Sequence, residues 1–187
     1  MQVASRPKQI NMKPAKTVEK RNDPLYNKSM LEMSVLLLPS QIGANGKTKE
    51  NIRDTIEYYI GGKCIIEGYV KPNSIQIQQY TNGIVKLDKI EFLVVFECLV
   101  CNPVEGMWLN DCKVKSVTKA GIHANKYDEQ NNLPVTVFII RDHFVDNPRF
   151  LKIKEEDIID IKVLGQRFEL NNQCIEVIGE IVGDKSN

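Results

Sequence analysis

Apolar positions divide this chain into a stretch with one amphipathic helix and a stretch made almost entirely of strand patterns. In the first stretch, an apolar run predicts a strand over 31–38, and the spacing of Ile52 and Ile56 predicts a helix over 49–60. Further strand patterns follow at 63–70, 74–80 and 84–87. We therefore predict a small sheet covered by one helix, in the order β-α-β-β.

The second stretch carries strand patterns separated by turns and one irregular segment. These patterns lie at 89–101, 107–118, 121–125, 134–141, 157–168 and 173–182. About five strands with one crossing segment are typical of a small closed Greek-key barrel of the OB type. The predicted fold class is α+β, with a β-α-β-β domain followed by a five-stranded OB-type barrel.

The domain boundaries follow from these patterns and from the distribution of charge. Residues 1–28 hold seven basic and two acidic side chains, whereas the whole chain has a formal net charge of only +1. We predict a disordered basic tail over 1–29, which is either solvated or an arm that contacts a nucleic-acid backbone. The other predicted units are a first domain over 30–87, a barrel over 88–183 and a short tail over 184–187.

Composition narrows the setting in which the protein works. No apolar run approaches the roughly 20 residues that a membrane span requires. The N-terminus lacks the apolar core of a signal peptide. Five cysteines without tight disulfide spacing favour a reducing intracellular environment. We expect no membrane partner.

The pair Cys98 and Cys101 has the spacing of a zinc or redox motif, but its context argues against both. The pair lies within one predicted strand, where residues three apart point to opposite faces. His123 and His143 are the two histidines of the chain, and they lie in different segments. We therefore predict no metal site and no cofactor.

Enzymatic motifs are absent from the sequence. No nucleophile elbow, phosphate-binding loop or dinucleotide-binding glycine motif occurs. The acidic cluster at 155–157 abuts an apolar strand pattern and is typical of a solvated turn. We predict a protein without catalytic residues.

Nucleic-acid binding is the class of function that the pattern favours. Basic side chains with a few aromatic ones on a barrel face suit single-strand binding through phosphate contacts and base stacking. The alternative is that the lysines only solvate the outer face and that the phenylalanines fill the core. The candidate RNA-binding residues are Lys113, Lys115, Lys119, His123, Arg141, Phe144 and Arg167.

The segment 95–106 resembles the stalk subunit of multisubunit DNA-directed RNA polymerases, which is the seventh-largest subunit of eukaryotic polymerase II and its archaeal counterpart. The similarity lies in a strand followed by a linker with Pro103, Glu105 and Gly106, and then a strand that opens the barrel. Lys113–Ala124 and the N-terminal stretch, with Leu37-Leu38-Pro39 and Glu67-Gly68-Tyr69-Val70, are similar in order and spacing. The resemblance covers about 31–182.

The resemblance implies a tip domain that docks on the polymerase core, an OB barrel near emerging RNA, and a joint at Pro103, Glu105 and Gly106. Its implied partners are polymerase core subunits, nascent RNA or initiation factors, and a second stalk subunit. The segments 141–144 and 163–170 resemble versions in large cytoplasmic DNA viruses. The implied location is the viral factory in the host cytoplasm and the virion, or the nucleus for a cellular protein. The alternative is a free-standing OB-type RNA-binding protein of the translation-factor kind.

Overall fold

The computed structural model describes residues 24–43, 47–141 and 150–182, and these residues form two sheets and one α-helix. Most of the predicted tails, 1–23 and 183–187, lie outside the described residues. Strand β1 begins at Asn27, so that Asn27 to Ser29 belong to the first sheet although the sequence assigned them to the tail. The fold is mostly β, with a closed five-stranded barrel as its second part.

The first sheet has six strands and one covering helix. Its elements are β1 (Asn27–Leu37), α1 (Thr48–Ile60), β2 (Cys64–Ile65), β3 (Gly68–Val70), β4 (Gln76–Tyr80), β5 (Ile84–Lys86) and β6 (Lys89–Cys101), with a one-turn 3-10 helix at Pro39–Gln41. Helix α1 buries Ile52 and Ile56 completely, as their spacing predicts. The first sheet thus contains more strands than the predicted β-α-β-β order.

Strand β6 is the central strand of the first sheet, and its assignment to the barrel was wrong. It pairs with β1 along its length, from Asn27 opposite Val100 to Leu37 opposite Ile90. Its other edge pairs in turn with β3, β4 and β5. Both edges of β6 are therefore occupied within the first sheet, and the barrel begins after Cys101.

The segment predicted as one strand over 63–70 is a tight hairpin. Cys64 pairs with Tyr69, and Ile65 pairs with Gly68. Gly68 has φ +130°, and a Cβ at this position would lie 2.3 Å from the Cys101 carbonyl oxygen. A glycine is required here because the hairpin approaches the backbone of β6 closely.

The second sheet closes on itself. Its strands are β7 (Trp108–Val117), β8 (Gly121–Lys126), β9 (Val135–Ile140), β10 (Ile158–Arg167) and β11 (Ile175–Ile181). The order around the barrel is β7, β8, β9, β11, β10 and again β7, and the β9–β11 pair is the parallel one. This closed Greek-key arrangement is consistent with the OB type.

Two hydrophobic clusters fill the protein, and the barrel cluster reaches into the first sheet. Cys64, Tyr69 and Cys101 of the first sheet pack with the inward side chains of the barrel. The backbone of Cys64 also exchanges hydrogen bonds with Asn171 and Asn172, in the turn between β10 and β11. The two parts are thus joined by a shared apolar core and by backbone hydrogen bonds.

A buried polar cluster ties the start of β1 to both parts. The Tyr26 hydroxyl donates a hydrogen bond of 3.0 Å to Asp128 Oδ2, in the β8–β9 loop. Lys71 Nζ lies 4.0 Å from the same oxygen and 5.1 Å from the centre of the Tyr26 ring. The Asp128 side chain is only 3% exposed, and it also accepts hydrogen bonds from Gln130 and Asn132.

We expect Tyr26→Phe to lower the free energy of unfolding by about 1.5–3 kcal/mol, the range for a hydrogen bond to a charged group. Chemical denaturation at neutral pH measures this change. Tyr59→Phe is the matched control, because the Tyr59 side chain is exposed on helix α1. Equal effects of the two substitutions would contradict a role for the buried Tyr26–Asp128 bond.

The same cluster predicts how stability changes with pH. Burial opposes ionisation of Asp128, but hydrogen bonds from Asn132, Tyr26 and Gln130 outweigh it and lower the pKa of this carboxyl. A carboxyl whose folded pKa is lowered stabilises the fold above its unfolded pKa of about 3.9, and this stability is lost as pH falls through the folded value. Tyr26→Phe should therefore reduce the acid dependence of unfolding, measured by denaturation between about pH 2 and 5.

Candidate nucleic-acid interface

Strand register builds a row of side chains across the outer face of the barrel. His123 on β8 lies opposite Phe138 on β9, Phe138 lies opposite Ile178 on β11, and Ile178 lies opposite Gly165 on β10. We call these four residues the ring row. The side chains point outward because the alternate residues Val137 and Val177 point into the barrel core.

The ring row provides an apolar surface. The His123 and Phe138 rings have centroids 4.6 Å apart and are tilted by 42°. The Phe138 ring lies over Gly121, where a Cβ would approach it to 3.0 Å. Ile178 is 43% exposed, and a Cβ at Gly165 would meet nothing within 4 Å. The surface thus has exposed aromatic and aliphatic groups beside an open space.

A second row of polar side chains lies next to the ring row. Thr136 lies opposite both Asn125 and Glu176, and Glu176 lies opposite Arg167. We call Asn125, Thr136, Glu176 and Arg167 the polar row. Arg167 Nη2 donates to Glu169 Oε1 at 3.2 Å, and both side chains are exposed.

One groove of about 450 Å³ lies on the barrel surface, and it is lined by the ring row and by Thr136, Glu176 and Arg167 of the polar row. Its lining joins the tilted His123–Phe138 ring pair to Gln166, Arg167 and Glu176. The second and third strands of the barrel, β8 and β9, form part of the groove, and this is the face on which OB barrels bind oligonucleotides. An apolar floor with polar groups at its edge can stack a planar ring and hydrogen-bond its rim.

The three candidate lysines differ in their surroundings. Lys113 forms an ion pair with Glu156, which raises the pKa of the lysine. Lys115 is exposed at a β-bulge between the pairs Val114–Ala124 and Ser116–His123, so that it borders the ring row. Lys119 is exposed in the turn between β7 and β8. No ion pair of Lys115 or Lys119 occurs among the described residues.

Arg141 has a structural role at the end of β9. Its Nη2 donates to the Thr118 carbonyl oxygen at 3.1 Å, and its guanidinium lies 5.3 Å from the centre of the Phe150 ring. These contacts hold the β7–β8 turn against the segment at Phe150. Phe144, the aromatic candidate of the same segment, lies outside the described residues.

Cys98 and Cys101 point into different hydrophobic clusters. Cys98 packs in the core of the first sheet, and Cys101 packs in the core of the barrel. Burial raises the pKa of Cys98 to about 11 and the pKa of Cys101 to about 12. Burial thus makes the thiolate, which is the form that binds metals, harder to reach for both groups. Within 24–43, 47–141 and 150–182, no group of three or more metal-ligating side chains comes together.

The predicted joint lies in the connection between β6 and β7, where the chain passes from the first sheet to the barrel. Pro103 is buried and Glu105 is exposed. Gly106 has φ +83°, and its N–H donates to the Val163 carbonyl oxygen at 2.8 Å. This bond fixes the start of the barrel against β10.

The sequence identified His123 and Arg167 and missed the other eight residues that line the groove. Phe138 and Ile178 lie in apolar runs, and a run does not show which of its members point outward. Gly165 and Glu176 lack any local signal. Their neighbours are set by the β9–β11 and β10–β11 pairs, which join distant parts of the chain.

A second exposed surface lies on the first sheet, around the start of β6. Leu36 and Ile84 both lie opposite Glu91 on β6, and they are 48% and 62% exposed. Leu87, in the turn of the β5–β6 hairpin, is 99% exposed and has φ +55°. We call Leu36, Ile84, Leu87 and Leu93 the hairpin patch.

Helix α1 is the longest helix in the described part of the chain, and it is too short and too polar to cross a bilayer.

No protein-family model matches the chain. The chain is 26% identical over 181 residues to the Acanthamoeba polyphaga mimivirus protein described as "Putative DNA-directed RNA polymerase subunit L376". The match covers 87% of this chain and 85% of the viral protein. The similarity thus extends over both the first sheet and the barrel.

Proposed function

We propose that this chain is a non-catalytic subunit of the DNA-directed RNA polymerase of a large DNA virus, and that it acts as the stalk subunit. The first sheet docks on the polymerase core, and the barrel contacts nascent RNA or initiation factors. The observation that carries the proposal is the similarity to the mimivirus polymerase subunit along most of both chains.

The hairpin patch supports docking through the first sheet. Several exposed apolar side chains grouped on one surface are typical of a protein-interaction site. The central Glu91 carboxylate is held by Lys86 Nζ at 2.6 Å and by the Ser34 hydroxyl at 2.7 Å. The only charge at the centre of this surface is thus already paired among the described residues, which lowers the cost of covering it with a partner.

The groove on the barrel supports contact with single-stranded RNA. An aromatic surface that stacks bases and positive charge beside it are the two elements that single-strand binding requires. The ring row supplies the stacking surface, and Lys115 and Lys119 supply positive charge at its side. Because these lysines are few, we expect moderate affinity with a clear dependence on salt.

Affinity purification of the tagged protein from cells infected with the virus that encodes it tests the central claim. We expect mass spectrometry to identify the two largest polymerase subunits in stoichiometric amounts. Recovery of this protein without polymerase subunits, or with ribosomal and translation factors instead, would refute the proposed assignment.

We expect Leu87→Gly to weaken association with the polymerase core at least about tenfold, because a buried leucine contributes about 1.5–3 kcal/mol. The fold should lose no stability, since a leucine at positive φ costs roughly 1–2 kcal/mol that glycine avoids. Co-purification yield measures association, and thermal unfolding measures stability.

Leu170→Gly is the matched control for Leu87→Gly. Leu170 is also an exposed leucine, at 62%, but it lies near the β10–β11 turn instead of the hairpin patch. Its replacement should leave core association unchanged. Loss of association in both variants, or in neither, would exclude the hairpin patch as the docking surface.

We expect Lys115→Ala to weaken RNA binding more than Lys113→Ala, although both lysines lie on β7. Loss of one phosphate contact should reduce the slope of log affinity against log salt concentration by about 0.7 for a single strand. Lys113 is already neutralised by Glu156, so its removal should change the slope little. Fluorescence anisotropy with a single-stranded RNA at several salt concentrations measures both slopes, and equal slopes would exclude Lys115 as a phosphate contact.

A further inference from the structure

The groove on the barrel has chemically distinct sides, and this asymmetry orients a bound nucleotide. Lys119 lies in the β7–β8 turn, on the side of His123 that faces away from Asn125, whereas Lys115 lies on β7 between the positions opposite Ala124 and His123. The polar row lies on the other side of the ring row, toward Asn125. A nucleotide whose phosphate contacts Lys119 and whose base stacks on the ring row therefore directs the edge of its base toward the polar row.

The spacing of the two rows suits a stacked purine. Glu176 and Ile178 are two residues apart on β11, so they point to the same face about 7 Å apart along the strand. That distance accommodates the half-width of a purine ring over Ile178 and one hydrogen bond of about 2.9 Å to Glu176. The open space at Gly165 leaves room for the ring beside Ile178.

Glu176 is the group that distinguishes one base from another. Its side chain is exposed, and it takes part in no ion pair within the described ranges. An ionised carboxylate only accepts hydrogen bonds, and its two oxygens accept best from two adjacent donors. Arg167 lies directly opposite Glu176 on β10 and offers hydrogen-bond donors beside it.

Guanine is the one RNA base that presents two adjacent donors, N1–H and the N2 amino group, on its Watson–Crick edge. It also presents the acceptors O6 and N7, which arginine binds in pairs. Uracil offers a single donor between two carbonyl oxygens, and those oxygens face the carboxylate unfavourably. Adenine and cytosine each offer one amino group beside an acceptor nitrogen.

We propose that the groove is a guanine-selective site for single-stranded RNA, in which the base stacks on the ring row and pairs its donor edge with Glu176. The inference rests on the proposed contact of the barrel with RNA, and it adds the identity of the preferred base. The barrel then favours transcripts that carry unpaired guanines at the position that reaches the groove.

The test uses the full chain and fluorescence anisotropy with single-stranded RNAs of about ten nucleotides. One RNA contains only uridine, and the others carry one central guanosine, inosine, adenosine or cytidine. We expect the guanosine RNA to bind about 5- to 150-fold more tightly than the uridine RNA, the range for a bidentate base contact. Inosine lacks the N2 amino group, so it should lose most of this preference.

Glu176→Gln should abolish the preference for guanosine while binding of the uridine RNA is retained. Glu180→Gln is the matched control, because Glu180 lies on the same strand and face but forms an ion pair with Lys162 at 3.3 Å. This control should keep the preference. Equal loss in both variants would mean a general charge effect and would overturn the proposal.

The outcomes separate guanine selectivity from the polymerase assignment. Binding of all RNAs with equal affinity, or a preference unchanged by Glu176→Gln, overturns guanine selectivity and leaves the polymerase assignment intact. Absence of binding to every RNA overturns both the selectivity and the proposed RNA contact of the barrel. Co-purification with the polymerase tests the assignment to the polymerase independently of either result.

Discussion

Strand β6 contributes side chains to both hydrophobic cores, and the arrangement of the two sheets depends on this strand. Val100 packs in the core of the first sheet and Cys101 packs in the core of the barrel, although they are consecutive residues. Alternation along a strand permits this, since neighbouring side chains point to opposite faces. The end of β6 is therefore covered on both faces, and the barrel begins at a fixed position relative to the first sheet.

The buried polar cluster reinforces the same constraint at the surface of the shared core. Tyr26, Lys71 and Asp128 come from three separate segments, and their hydrogen bonds and charges are satisfied only when the segments meet. An unpaired Asp128 carboxylate at 3% exposure would be costly. The cluster thus favours one relative position of the two parts, whereas apolar contacts alone would tolerate small shifts.

The sequence predicted where the helix and strands lie more accurately than it predicted which strands pair with each other. Helix α1 and the five barrel strands were identified within a few residues, because periodicity and turn residues are local signals. Strand β6 was assigned to the wrong sheet, because an apolar run does not show which strands pair with it. The same reason explains the groove: His123 was identified as a basic candidate, but Phe138 and Ile178 become its neighbours only through cross-strand register.

Strand β6 also separates the hairpin patch from the barrel that carries the groove. The hairpin patch surrounds the start of β6, and the barrel follows its end, 13 residues later. At about 3.4 Å per residue, the strand alone spans about 40 Å. A partner bound at the start of β6 would therefore lie about 40 Å from the point where the barrel begins. Because β6 is paired on both edges, this separation is set by the sheet and not by a flexible linker.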